Sequence, residues 1–181
     1  MKKKTIPAPP PIGEFRLPRY RELTDVGLYL EQVVRLLNTY LAPLGEGELT
    51  ASMVSNYVKQ GLLPRPEKKL YYAGHLARLL FIGAAKNAAA LEDIRLLLEL
   101  QEQKCELSAA YDSFGQSFEE ALFAAFGLTR DAPPEPAVSN LPAPCDAENS
   151  LLQQLIRAAV ARIYLDHSLR LFRQQNGADV K

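Results

Sequence analysis

The sequence predicts a mainly α fold, a winged helix-turn-helix with a two-stranded wing and additional C-terminal helices. Apolar residues recur at three- and four-residue steps in several segments, as they do on one face of a helix. Between Leu49 and Leu98 the order is short helix, Gly-Leu-Leu-Pro corner, small basic hairpin, long helix and further helix. That order of elements is typical of a helix-turn-helix followed by a wing.

Composition divides the chain into three parts. Residues 1–13 contain lysines followed by four prolines and predict a flexible leader. Residues 14–104 are assigned to the winged helix-turn-helix domain, and residues 105–181 to a helical C-terminal region with a role in dimerisation. This region holds a proline-rich loop (129–147) and a long helix (148–174). The helix shows no strict heptad over three repeats, so we expect it to contact the body or a second subunit.

Two helices are predicted ahead of the corner. Apolar residues from Val26 to Leu41 favour an amphipathic helix, with Thr24 or Asp25 as its N-cap. Thr50 is expected to cap the second helix, which Gly61 ends. The second helix has one apolar side and one side of small and polar residues. Its polar side consists of Ala51, Ser52, Ser55, Asn56, Lys59 and Gln60.

The segment after the corner predicts the wing. Pro64 and Pro66 favour extended or turn backbone, and alternation resumes before Tyr72. We expect two very short antiparallel strands with Arg65, Lys68 and Lys69 at or near the tip. Positive charges on such a loop contact phosphates, although an ordinary charged surface loop remains an alternative.

Charge is distributed unevenly along the chain. Residues 1–80 contain 12 Lys and Arg against 7 Asp and Glu, whereas residues 81–181 contain 9 against 14. The basic first part fits a polyanionic partner, and the acidic second part does not.

Few residues suit catalysis or metal binding. Cys105 and Cys145 are isolated, which is typical of a reducing cytosol, and His75 and His167 have no metal-ligand spacing. We find no phosphate loop, nucleophile elbow or zinc-protease motif, so we expect no enzyme activity, no cofactor and no metal. We also find no signal peptide and no membrane span, and we expect a cytoplasmic protein.

The order T-x-S-M-V-x-N-Y-x-K-x-G-L-L-P, then L-Y, H-L-A-R-L-x-F-I and L-E-D-I-R-x-L-L resembles the DNA-binding domain of MerR-type bacterial regulators. More narrowly, L-P-R, L-Y-L-x-Q-V-V and S-N-Y-V-K resemble a bacterial family of unknown function with that fold. The MerR-like resemblance covers about residues 48–100 and implies a homodimer that binds promoter DNA.

The resemblance also implies which residues contact DNA. Helix 50–60 would enter the major groove and wing 63–71 would contact phosphates. Serines stand at positions 52 and 55, where the family has Arg or Lys, and the wing is shorter than usual. The implied base-facing residues are Ser52 and Ser55, the phosphate contacts are Asn56, Tyr57 and Lys59, and the wing residues are Arg65, Lys68, Lys69 and Tyr71.

We therefore expect a homodimeric, DNA-binding transcriptional regulator, with double-stranded DNA as its partner and an unidentified small molecule as a possible effector. Two alternatives remain. One is a winged-helix module that contacts proteins and no longer binds DNA, because the second helix carries few positive charges. The other is a small-molecule-binding regulator whose pocket lies among the C-terminal helices and their aromatic residues.

Overall fold

Amphipathic segments separated by glycines and prolines form six α-helices in the part of the chain that the structure describes. The computed structural model describes residues 12–45, 47–128 and 146–177, and side chains are described for all of these except 146–149 and 175–177. Three 3-10 turns, Ile12–Glu14, Tyr20–Glu22 and Ala42–Leu44, accompany the helices. The helices are α1 (Leu30–Leu41), α2 (Ala51–Lys59), α3 (Ala73–Ala85), α4 (Leu91–Glu102), α5 (Leu107–Ala125) and α6 (Asp146–Gly177).

Helix α3 lies at the centre of the fold. Its sequence is apolar around almost the whole circumference, and the side chains from Leu76 to Ala85 are buried except that of Arg78. A helix without a polar face needs neighbours on every side. Helices α1, α4, α5 and α6 all contact it.

Four phenylalanines fill the core between α3, α5 and the N-terminal segment. Phe81 and Phe114 have ring centroids 4.3 Å apart, and Phe118 lies 5.6 Å from Phe114 and 5.9 Å from Phe15. All four are fully buried. These aromatic residues therefore contact one another in the core.

The segment before α1 is bonded to α5 by side chains of that helix. Glu119 accepts a hydrogen bond from the amide of Leu17 at 2.9 Å, and Asp112 accepts one from the amide of Tyr20 at 2.7 Å. The hydroxyl of Tyr111 donates to the carbonyl of Pro18 at 2.8 Å, and its burial raises the pKa of Tyr111. Residues on both sides of position 104 thus contribute to one core.

The prediction of a two-stranded wing is wrong. Among the described residues there are no strands, only isolated antiparallel pairs, Glu67 with Leu70 and Leu28 with Tyr71. In an antiparallel ladder the next pair outward, Pro66 with Tyr71, exchanges no hydrogen bonds, and the following one would join Arg65 to Tyr72. Tyr72 is instead the N-cap of α3: its amide donates to Nδ1 of His75, and its carbonyl accepts from the amides of His75 and Leu76. The MerR-like winged fold that the sequence predicted is therefore not the fold observed.

Several helix ends also differ from the predictions. Helix α1 begins at Leu30 and not near Val26, because Leu28 is held in extended backbone by its pairing with Tyr71. Helix α5 extends over nineteen residues of the region that the sequence predicted only as helical. Helix α6, Asp146–Gly177, includes the predicted range 148–174 and begins two residues before it.

Two predicted segments fall mostly outside the described residues. The leader 1–13 is described only from residue 12, and the loop 129–147 only from residue 146. Among the helices of the described part, none combines the length and the apolar character needed to cross a membrane.

Candidate nucleic-acid interface

Helix α2 presents a polar face to solvent. The Thr50 hydroxyl accepts a hydrogen bond from the amide of Met53 at 3.2 Å, which is the predicted N-cap. Val54 and Tyr57 are buried on the inner side. On the outer side Ser52, Asn56 and Lys59 are exposed, while Ser55 is half-buried. The division between the two faces is the one that the spacing of apolar residues predicts.

Asn38 determines where α2 begins relative to α1. Its side-chain oxygen accepts from the amide of Leu49 at 2.8 Å, and its nitrogen donates to the carbonyl of the same residue at 2.9 Å. Leu49 directly precedes the cap residue Thr50 and is almost fully buried. One carboxamide on α1 therefore fixes the backbone at the point where the chain enters α2.

A tight turn, residues 67–70, carries two of the predicted lysines, and we call it the lysine turn. Its ends exchange two backbone hydrogen bonds, from Glu67 to the carbonyl of Leu70 at 3.1 Å and from Leu70 to the carbonyl of Glu67 at 2.8 Å. Lys68 and Lys69 have φ angles of 48° and 70°. Two successive left-handed residues define a type I′ turn, a position that usually holds Asn and Gly. Both lysine side chains are exposed.

The lysine turn is anchored to the segment before α1. Leu28 and Tyr71 exchange two backbone hydrogen bonds, both 2.9 Å long. Gly27 allows this close approach, because a Cβ atom there would lie 2.8 Å from the Cβ of Leu70. The turn is therefore attached at its base and not a free loop.

A polar cleft of about 450 Å³ connects the end of α2 with α3 and α4. Arg78 pairs with Glu102 at 2.7 Å, and Arg95 lies 3.7 Å from Glu99. Within the described part of the chain, Lys59 and Arg65 form no ion pair, and both side chains are exposed. The cleft is lined by four cationic residues and two carboxylates, namely Lys59, Arg65, Arg78, Arg95, Glu99 and Glu102.

Two residues that the resemblance assigned to DNA contacts do not lie on this surface. Tyr57 and Tyr71 are 3% and 5% exposed and belong to the hydrophobic core. Burial raises the pKa of both hydroxyls. The spacing of apolar residues in the sequence places Tyr57 on the apolar side of α2. That spacing therefore predicted the burial of Tyr57, whereas the resemblance predicted a contact with DNA.

His75 is a residue of this region whose role the sequence left open. Tyr72 occupies the N-cap of α3, where its side chain makes no capping hydrogen bond, and the Nδ1 atom of His75 accepts from the amide of Tyr72 at 3.1 Å. The ring contacts Tyr71 edge-on at 5.4 Å, and its Nε2 atom is buried without a hydrogen-bond partner among the described residues. Burial lowers the pKa of His75.

The described residues contain no group of three or more His, Cys, Asp or Glu that could hold a metal ion. The region presents hydroxyl, carboxamide, ammonium and guanidinium groups, together with the carboxylates of Glu67, Glu99 and Glu102. The cationic groups can bind anions, and the hydroxyl and carboxamide groups can form hydrogen bonds with polar groups of a partner.

Comparison with known proteins identifies one family. A family model described as a domain of unknown function (DUF1836) matches residues 18–114, from the segment before α1 to the middle of α5. No curated protein and no solved structure matches the chain. The match covers more than half of the sequence, and it replaces the MerR-like assignment. The chain belongs to the family described as a domain of unknown function, DUF1836.

Proposed function

We propose that this protein binds double-stranded DNA and regulates transcription, with the exposed face of α2 in the major groove and the lysine turn on flanking phosphates. The observation that carries the proposal is that several cationic residues lie close together near the end of α2. Lys59 at the end of α2 lines the same cleft as Arg65, and two residues separate Arg65 from Lys68. Such cations at the end of one helix are suited to a backbone with one negative charge per roughly 1.7 Å of duplex.

The outer face of α2 has the size and chemistry for contacts with bases. A nine-residue helix is about 13 Å long, and the major groove, about 12 Å wide, accepts an α-helix. Asn56 is exposed, and its side chain makes no hydrogen bond among the described residues. An Asn carboxamide can pair with both the N6 and N7 atoms of adenine. The short side chains of Ser52 and Ser55 permit a close approach.

The cations have the separate task of positioning the protein. Ammonium and guanidinium groups contact phosphate oxygens without reading the sequence of bases. Lys68 and Lys69 are held on a turn whose base is bonded to Leu28. A regulator of this kind acts where the chromosome is, so the proposal places the protein in the bacterial cytoplasm.

The test is fluorescence anisotropy of the purified protein with mixed-sequence duplex DNA over a series of salt concentrations. A variant with Lys59→Ala, Lys68→Ala and Lys69→Ala removes three cations from the proposed surface. The matched control, Arg21→Ala, Lys104→Ala and Arg157→Ala, removes the same charge from elements outside α2, the lysine turn and the cleft.

We expect the wild type to bind with a negative slope of log K against log salt concentration. The first variant should reduce that slope by about 2 to 3, since each phosphate contact contributes about 0.9. The control should keep the slope of the wild type. Absence of binding at low salt, or an equal loss in both variants, would contradict the proposal and favour a module that contacts proteins.

A further inference from the structure

Helix α6 has apolar side chains on two faces, and the described residues cover only one of them. The inner face contacts α3, α4 and α5. The other face is exposed from Leu151 to Phe172. The inner residues are Leu152, Leu155, Ile156, Ala159, Val160 and Ile163, all at most 7% exposed.

The exposed face forms a regular stripe. Apolar residues recur along it at seven-residue steps, namely Leu151, Ala158, Leu165 and Phe172. Ala161 lies between Ala158 and Leu165 on the same side. Leu151 is 51% exposed, Leu165 is 50% exposed and Phe172 is 63% exposed. Seven-residue spacing keeps side chains on one side of a helix, where a partner helix can cover them. We call these five residues the outer stripe.

We propose that the outer stripe binds the outer stripe of a second copy of this chain, with the two α6 helices antiparallel about a two-fold axis near Ala161. The proposal does not depend on DNA binding. It gives a role in dimerisation to a face of the protein that is not part of the candidate nucleic-acid interface.

The arrangement of side-chain sizes supports this pairing. Leu151 and Phe172 are equally distant from the bond between Ala161 and Arg162, and so are Ala158 and Leu165. A single two-fold axis therefore places Leu165 opposite the small Ala158 of the other copy. It also places Phe172 opposite Leu151. Self-complementarity of this kind is what an interface between identical subunits requires.

The charges of α6 favour the antiparallel orientation. Asp146 and Glu148 occur in its first turn and Arg173 occurs near its other end, whereas the guanidinium of Arg170 lies against Gly45 in the same chain. Antiparallel helices bring the acidic start of each copy beside the basic end of the other, and their dipoles are opposed. Parallel helices would bring arginines beside arginines.

The available area is sufficient for a dimer. The stripe spans about 33 Å of helix, and half the circumference of a helix about 11 Å across gives roughly 600 Å² per copy. Two copies would bury roughly 1,200 Å², which is the lower limit for specific, stable interfaces. Residues 129–145 carry two large aliphatic side chains, Val138 and Leu141, which is too few to cover the stripe instead.

Sedimentation equilibrium at protein concentrations of about 10 to 100 μM tests the assembly. The wild type should have twice the chain mass of 20.1 kDa. Leu165→Glu with Phe172→Glu should give a monomer with unchanged helix content by circular dichroism. The matched control, Val26→Glu with Leu96→Glu, changes exposed apolar residues elsewhere and should remain a dimer. A monomeric wild type, or a dimeric Leu165→Glu, Phe172→Glu variant, would overturn the proposal.

Disulfide trapping tests the orientation without disturbing the fold. In a chain with Cys105→Ser and Cys145→Ser, the pair Leu151→Cys and Phe172→Cys should form covalent dimers on mild oxidation. Within one helix these positions are about 32 Å apart and cannot bond to each other. Each single cysteine variant should remain uncrosslinked. Covalent dimers of the Leu151→Cys chain alone would indicate parallel helices and overturn the antiparallel arrangement.

Discussion

The carboxamide of Asn38 satisfies both backbone polar groups of Leu49, one at 2.8 Å and the other at 2.9 Å. This arrangement imitates a pair of residues in an antiparallel sheet, although one partner is a side chain on α1. It holds the backbone immediately before Thr50, the residue that caps α2. The orientation of the proposed DNA-contacting helix thus depends on one residue outside it.

We expect Asn38→Ala to lower the free energy of unfolding by about 1 to 3 kcal/mol, because two polar groups of a buried residue lose their partners. Urea unfolding followed by circular dichroism measures the change. Thr39→Ala, at the exposed neighbouring position, is the control and should change stability by less than about 0.5 kcal/mol. Equal stability of the wild type and Asn38→Ala would show that water replaces the carboxamide.

The left-handed backbone of the lysine turn predicts opposite effects for two substitutions that remove the same charge. A left-handed conformation costs a residue with a side chain about 1 to 2 kcal/mol, and glycine does not have this cost. We expect Lys69→Gly to raise the free energy of unfolding by about 0.5 to 1 kcal/mol. Lys69→Ala should leave it unchanged or lower it, and both should weaken DNA binding equally. If Lys69→Gly destabilises the protein, the turn does not store this strain.

The buried ring of His75 predicts a dependence of stability on pH. Its pKa is lower in the folded protein than the ordinary value of about 6.5, because burial disfavours the charged ring. Between the two pKa values the unfolded chain binds more protons, so stability rises with pH. The contribution is therefore fully present above about pH 6.5 and is lost as pH falls through the folded pKa.

His75→Gln provides the comparison. A Gln at this position can still accept from the amide of Tyr72, as in a capping box, and it does not titrate. Urea unfolding at pH 7.5 and pH 5 should show a larger loss of stability for the wild type than for His75→Gln. An equal loss in both proteins would assign the pH dependence to other groups.

Local patterns in the sequence predicted α2 well. Thr50 is the N-cap, Val54 and Tyr57 face inward, and Asn56 and Lys59 face solvent, as the three- and four-residue spacing indicates. These features depend on residues within one or two turns of helix. Physical rules that act over such distances can be read from a single chain.

Features that depend on distant partners could not be predicted in the same way. The pairing of Leu28 with Tyr71 holds the chain extended before α1. The use of Tyr72 as the N-cap of α3 ends the pairing that begins at Glu67 and Leu70. In an extended segment Tyr71 shares a face with Lys69, which suggested an outward position, but its side chain is buried and its ring contacts that of His75 edge-on. Burial of this kind is decided by tertiary packing and not by local propensity.

The anchored lysine turn has a consequence for the thermodynamics of binding. A flexible loop that becomes ordered on a ligand loses roughly 1 to 2 kcal/mol of backbone conformational entropy per residue. The backbone of Lys68 and Lys69 is already confined by the hydrogen bonds between Glu67 and Leu70, and at its base by those between Leu28 and Tyr71. Most of this entropy is lost during folding, so an approaching polyanion would have to immobilise only the two side-chain stems. The turn is preorganised.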